Sequence, residues 1–139
     1  MGKITALAAI STVVLLSSCT TAARGPLSVD LDGDGTAETV TLQQRDKEIA
    51  VTIQGSTLRG GEQVLFFGVD AARQDAVCGL PVTLGVTEPD CAPEALGAVP
   101  LEGCQVTPKS QDLVLSDDLC DPIHMYWHRT ERQVWWWRA

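Results

Sequence analysis

The chain has 139 residues, 45% hydrophobic and 20% charged, an ordinary globular balance that argues against a disordered or low-complexity segment and allows one small domain. Ten Lys plus Arg stand against 18 Asp plus Glu, for a net charge of −8, and that acidity argues against nucleic acid as a partner. The longest apolar run, Ile4 to Leu16, has 13 residues, short of the roughly 20 that a membrane-spanning helix needs.

Met1-Gly2-Lys3, the apolar run and Ser17-Ser18-Cys19 follow one another in the basic, apolar and small-residue order of a secretory signal peptide, expected over residues 1–18. The stretch Leu16-Ser17-Ser18-Cys19 resembles the lipobox of bacterial lipoproteins. That resemblance implies lipidation at Cys19, a lasting membrane anchor. Because Thr20 rather than Asp follows the cysteine, it also implies the outer membrane of a Gram-negative cell, facing the periplasm or the cell surface. Residues 19–27, small and punctuated by Gly25 and Pro26, then form the acylated N-terminus and a tether to a single domain over 28–139. Losing Lys3 with the leader leaves 9 cations against 18 carboxylates, a mature charge of −9.

The next segment, Asp30-Leu31-Asp32-Gly33-Asp34-Gly35-Thr36-Ala37-Glu38, is the sharpest chemical signal. Side-chain oxygens at loop positions 1, 3, 5 and 9, a glycine at 6 and a carbonyl at 7 suit a hard cation of calcium's size. Position 12 is Thr41, which lacks the bidentate carboxylate of an EF-hand, and residues 39–44 alternate as a strand does. The loop resembles the calcium loops between strands of FG-GAP or VCBS-type repeats in secreted proteins, over roughly residues 28–54. The resemblance implies Ca2+ held by Asp30, Asp32, Asp34 and Glu38 side chains and the Thr36 carbonyl. One clear copy does not make a complete propeller.

Val40 and Leu42, then Ile49, Val51 and Ile53, alternate on either side of Arg45–Glu48 and predict a hairpin pairing Leu42 with Val51 and Val40 with Ile53. The apolar run Val64–Val69 predicts a buried, central strand. Asp70 is placed to cap a short helix over Ala71–Val77. From Cys78 to Lys109, five of the seven prolines and three of the four remaining cysteines predict a long loop excursion with one strand at Val82–Val86. Leu113–Leu115 reads as a further strand. Setting Cys19 aside, Cys78, Cys91, Cys104 and Cys120 make an even number in an oxidising compartment and predict two disulfides. Three connectivities are open, and the expected one joins neighbours, Cys78 to Cys91 and Cys104 to Cys120. No Cys-x-x-Cys pair suggests zinc.

The C-terminus carries five of the seven aromatic residues and predicts a second hairpin centred on Thr130-Glu131. Its register sets Ile123, Met125, Trp127, Val134 and Trp136 on one face and His124, Tyr126, His128, Trp135 and Trp137 on the other. On the second face, Trp135, Trp137 and Tyr126 are the candidate binding residues for an envelope protein or a glycan. His124 and His128 are four apart, roughly 13 Å along a strand, too far to share a metal. Asp117, Asp118 and Asp121 are most simply a polar turn.

The expected fold is therefore mostly β: a small single antiparallel β domain built on two hairpins, loop-rich and disulfide-stapled. The expected role is a membrane-anchored, calcium-stabilised binding module without enzymatic activity. The alternatives are an inhibitor or immunity protein against an envelope-targeting hydrolase, a glycan-directed enzyme using the Asp117, Asp118, Asp121 cluster, and a structural envelope component.

Overall fold

The computed structural model describes residues 25–139; the leader, the lipidation site at Cys19 and most of the tether lie outside the described residues. The fold is mostly β, in two sheets. The first has five strands in chain order: β1 (Leu27–Val29), β2 (Glu38–Arg45), β3 (Glu48–Gln54), β4 (Glu62–Val69) and β5 (Ala76–Val77). The second has four: β6 (Thr83–Thr87), β7 (Asp112–Ser116), β8 (Ile123–His128) and β9 (Gln133–Trp137). All pairings are antiparallel except β4 with β5. The helical element among the described residues is a 3₁₀ turn at Glu94–Leu96, and no helix there is long and apolar enough to cross a membrane.

Both predicted hairpins form in the expected register. Leu42 faces Val51 and Val40 faces Ile53, while Trp127 faces Val134 and Met125 faces Trp136. Period-2 alternation leaves one pairing in which both strands bury their apolar set, and a slip by one residue exposes it. The buried sets of the two sheets merge into one core, with Val29, Val40, Ile49, Val51, Ile53 and Phe67 from the first and Leu84, Leu113, Leu115, Ile123, Met125 and Val134 from the second. Each such side chain contributes about 1.5–3 kcal/mol on burial.

Two glutamines tie the sheets together. Gln44 of β2 donates from Nε2 to the Val82 carbonyl (3.0 Å) and accepts from the Val82 amide (2.9 Å). Gln63 of β4 treats Val134 of β9 in the same way, at 2.9 and 2.6 Å. Each side-chain amide thus supplies the donor and acceptor that a neighbouring strand would.

Three expectations are corrected. The Val64–Val69 run is β4, with β3 at the centre of the sheet, and it is buried on one face only: Phe67 is buried while Phe66 is 63% exposed. Asp70 caps no helix; its Oδ1 accepts from the Ala72 amide (2.9 Å) in a turn, and Ala76–Val77 extend into β5 beside Gly68 and Val69. The disulfides join Cys78 to Cys120 and Cys91 to Cys104, not the sequence neighbours. Cys78 follows β5 and Cys120 precedes β8, so that bridge links the two sheets, whereas Cys91–Cys104 closes the long excursion on itself.

The stapled excursion folds back over the outer face of β8. The Tyr126 hydroxyl donates to the Glu102 carbonyl (3.1 Å), and the Arg129 amide donates to the Gly103 carbonyl (2.9 Å). Gly103, at φ +65°, lies so close to the His128 ring that a Cβ there would collide with it.

Candidate metal centre

The acidic loop joins β1 to β2, so Asp30 and Glu38 are brought together by the strand pair itself: Val29 faces Glu38 across the ladder. Glu38 is the inward residue that opens β2, only 2% exposed. Its Oε2 accepts from the Leu31 amide (2.8 Å) and its Oε1 from the Thr57 hydroxyl (3.5 Å). Burial pushes the Glu38 carboxyl above its ordinary value; the Leu31 amide opposes the shift and the charges of Asp32 and Asp30 add to it.

One oxygen each from Asp30, Asp32 and Glu38 converge within 4.8 Å of one another. Asp30 Oδ2 accepts from the Gly35 amide (2.9 Å), while Asp30 Oδ1 is buried and has no hydrogen-bond partner. An orphaned anionic oxygen beside two further carboxylates carries a desolvation cost that a cation would offset. The donor set is all oxygen, as a hard cation of calcium's kind requires. Asp34 does not join the group; its Oδ1 accepts from the Thr36 amide (2.6 Å), and Asp32 Oδ1 accepts from the Asp34 amide (3.0 Å), so these carboxylates also shape the turn.

The segment just before β7 completes the setting, and nothing in the sequence pattern marked it. The Gln111 amide donates to the Asp30 carbonyl (2.9 Å). Gly33, at φ +73°, sits against the Thr107 hydroxyl, where a Cβ has no room. Thr107 and Ser110 hold each other through three hydrogen bonds of 2.9 to 3.1 Å. The loop is thereby fixed to both sheets.

The C-terminal hairpin differs from expectation at two aromatic positions. Tyr126 is 3% exposed beneath the stapled excursion, so it is not open to a partner. Trp136, expected in the core, is 37% exposed, because β9 is the last strand of its sheet and the ring meets Phe67 edge-on at 5.9 Å. Trp135 is exposed, with its ring over His128 at 4.1 Å. Trp137 stacks on His124 at 4.2 Å, nearly parallel. The two histidines are thus separately engaged by tryptophans.

The Asp117 carboxylate of the 116–121 turn is structural. Asp117 Oδ1 accepts from the Leu119 and Cys120 amides (both 3.0 Å), and Oδ2 accepts from the Gly79 amide (3.0 Å) and from that of Cys78. Burial favours protonation, but these four bonds outweigh it and hold the carboxyl below the usual carboxylate range. Comparison with family models, curated proteins and solved structures gives no match to this chain.

Proposed function

We propose that this is a lipid-anchored envelope protein whose β domain is stabilised by calcium and binds a partner without catalysis. The anchor is supported by Leu16-Ser17-Ser18-Cys19. Calcium is supported above all by the buried, partnerless Asp30 Oδ1 beside Asp32 and the buried Glu38. A bound cation would supply positive charge where β1, β2 and the 107–111 segment meet, and would so act as a cross-link. Binding rather than catalysis is supported by Asp117, whose four accepted bonds leave it unsuited to proton transfer. The exposed Trp135 and Trp136 of β9 supply aromatic surface for a protein or glycan partner.

The test is capture from envelope extract with the mature domain, in calcium and in chelator. Retention of a partner by the wild type, weakened by Trp135→Ala without change in the melting point, is the expected result. Turnover of a glycan or peptide by the domain alone would overturn the non-enzymatic reading.

A further inference from the structure

We propose that the outer face of the first sheet, at the hairpin end carrying Arg45, Lys47 and Phe66, rests on the phospholipid surface to which the chain is anchored. This rests on the lipid-anchor reading and goes beyond it by fixing which face of the domain meets the bilayer. Across β2, β3 and β4, Gln43, Ala50 and Phe66 form one row and Thr41, Thr52 and Val64 the next. With Arg45 and Glu48 these rows bound a shallow groove. The solvated face of an antiparallel sheet is normally polar, so a largely exposed phenylalanine beside an exposed valine calls for an apolar neighbour outside the domain.

The direction of the chain says what that neighbour is. Leu27 faces Val40 in an antiparallel pair, so the chain enters β1 from the side on which β2 ends at Arg45. The approach is open: a Cβ on Gly25 would touch nothing. Leu27 lies eight positions after Cys19, a reach of at most about 26–29 Å. The 115 residues 25–139 have an expected radius of gyration of about 13 Å, hence a diameter of about 34 Å. A tether shorter than the domain is wide, and leaving β1 toward the hairpin end, keeps that end toward the bilayer. The acidic Asp30–Glu38 loop, at the other end of β2, is turned away from the phosphates. At the hairpin tip Arg45 and Lys47 alternate with Asp46 and Glu48, so the tip carries no net charge, and the two long basic side chains reach the headgroups with their stems along the apolar surface.

The experiment compares two forms of the full mature chain by hydroxyl-radical footprinting and peptide mass spectrometry. One is the acylated protein in vesicles of phosphatidylethanolamine with a minority of phosphatidylglycerol. The other is Cys19→Ser, secreted behind an ordinary leader and free in solution. Oxidation of Phe66 and Val64 should fall severalfold on the vesicles, while Val99, exposed on the excursion over the other sheet, is oxidised alike in both. Phe66→Glu, at an exposed position, should remove the protection of Val64 while leaving acylation and vesicle retention intact. Equal oxidation of Phe66 in both forms, with acyl mass present on Cys19, would overturn the docking and leave the anchor standing. A Cys19 peptide without acyl mass, together with loss from the vesicles, overturns both. Protection of Phe66 in the free form that grows with protein concentration would mean a second copy of the chain covers the face, and the proposal falls.

Discussion

Asp112 opens β7 beneath the stapled excursion, where burial pushes its carboxyl up to about 7. The Asp90 amide opposes that shift and the Asp90 charge adds to it, while Tyr126 responds to burial and to the charges of Glu102 and Asp112 by rising above its own ordinary value. His124, on the same face, is held down by burial against the pull of Asp90. Since the folded carboxyl takes a proton more readily than the unfolded one, the stability it contributes is complete below its unfolded value of 3.8 and is lost as pH rises through about 7. The wild type should therefore lose stability relative to Asp112→Asn between about pH 4 and about pH 7, by on the order of a few kcal/mol, read from urea midpoints of both proteins. Tyr126→Phe should cost about 1 kcal/mol through the bond to Glu102. Trp136→Ala should cost about 1–2 kcal/mol, short of the 3–5 of a buried aromatic, and Trp135→Ala less still. Thermal melts of the two tryptophan variants should rank in that order. None of these burial states is written in the sequence, because alternation tells which side chains share a face and says nothing of which loop will cover it. Tyr126 and Trp135 occupy the same face; one lies beneath the excursion and the other does not.

At the scale of elements, the hairpin registers were legible because turn length and a period of 2 determine them together. The disulfides were not, because pairing Cys78 with Cys120 depends on how the second sheet folds over the first, a contact 42 residues apart. Loop-closure entropy ranks the two bridges: about 4 kcal/mol for the 42-residue separation against about 3 for the 13-residue one. Replacing the Cys78–Cys120 pair by alanines should lower the denaturant midpoint more than replacing Cys91–Cys104. Loss of the shorter bridge should instead speed amide exchange selectively over residues 99–104, which it holds against β8. The acidic loop stands out in the sequence as an Asp/Gly pattern, yet its clamp by Gln111, Thr107 and Ser110 comes from a segment about 75 to 80 residues away and carries no motif. Saturation at about ten times Kd adds roughly 1.4 kcal/mol, so calcium should raise the melting point of the wild type over that in chelator by several degrees. Asp30→Asn should abolish this difference, whereas Asp34→Asn, outside the converging group, should only reduce it.

For the molecule as a whole, the bridge of Cys78 to Cys120 and the bonds of Gln44 and Gln63 span the two sheets. Such long-range ties favour a single cooperative unfolding transition, which calorimetry would show as equal calorimetric and van't Hoff enthalpies. The glutamines have a second consequence. Val82 adjoins β6 and Val134 belongs to β9, the two outermost strands of the second sheet, where unpaired backbone groups invite a foreign strand to add on. By occupying the amide and carbonyl of one residue at each border, Gln44 and Gln63 act as stoppers against polymerisation. Gln63→Leu reopens the Val134 pair, and concentrated solutions of that variant should scatter more light than the wild type while both remain folded.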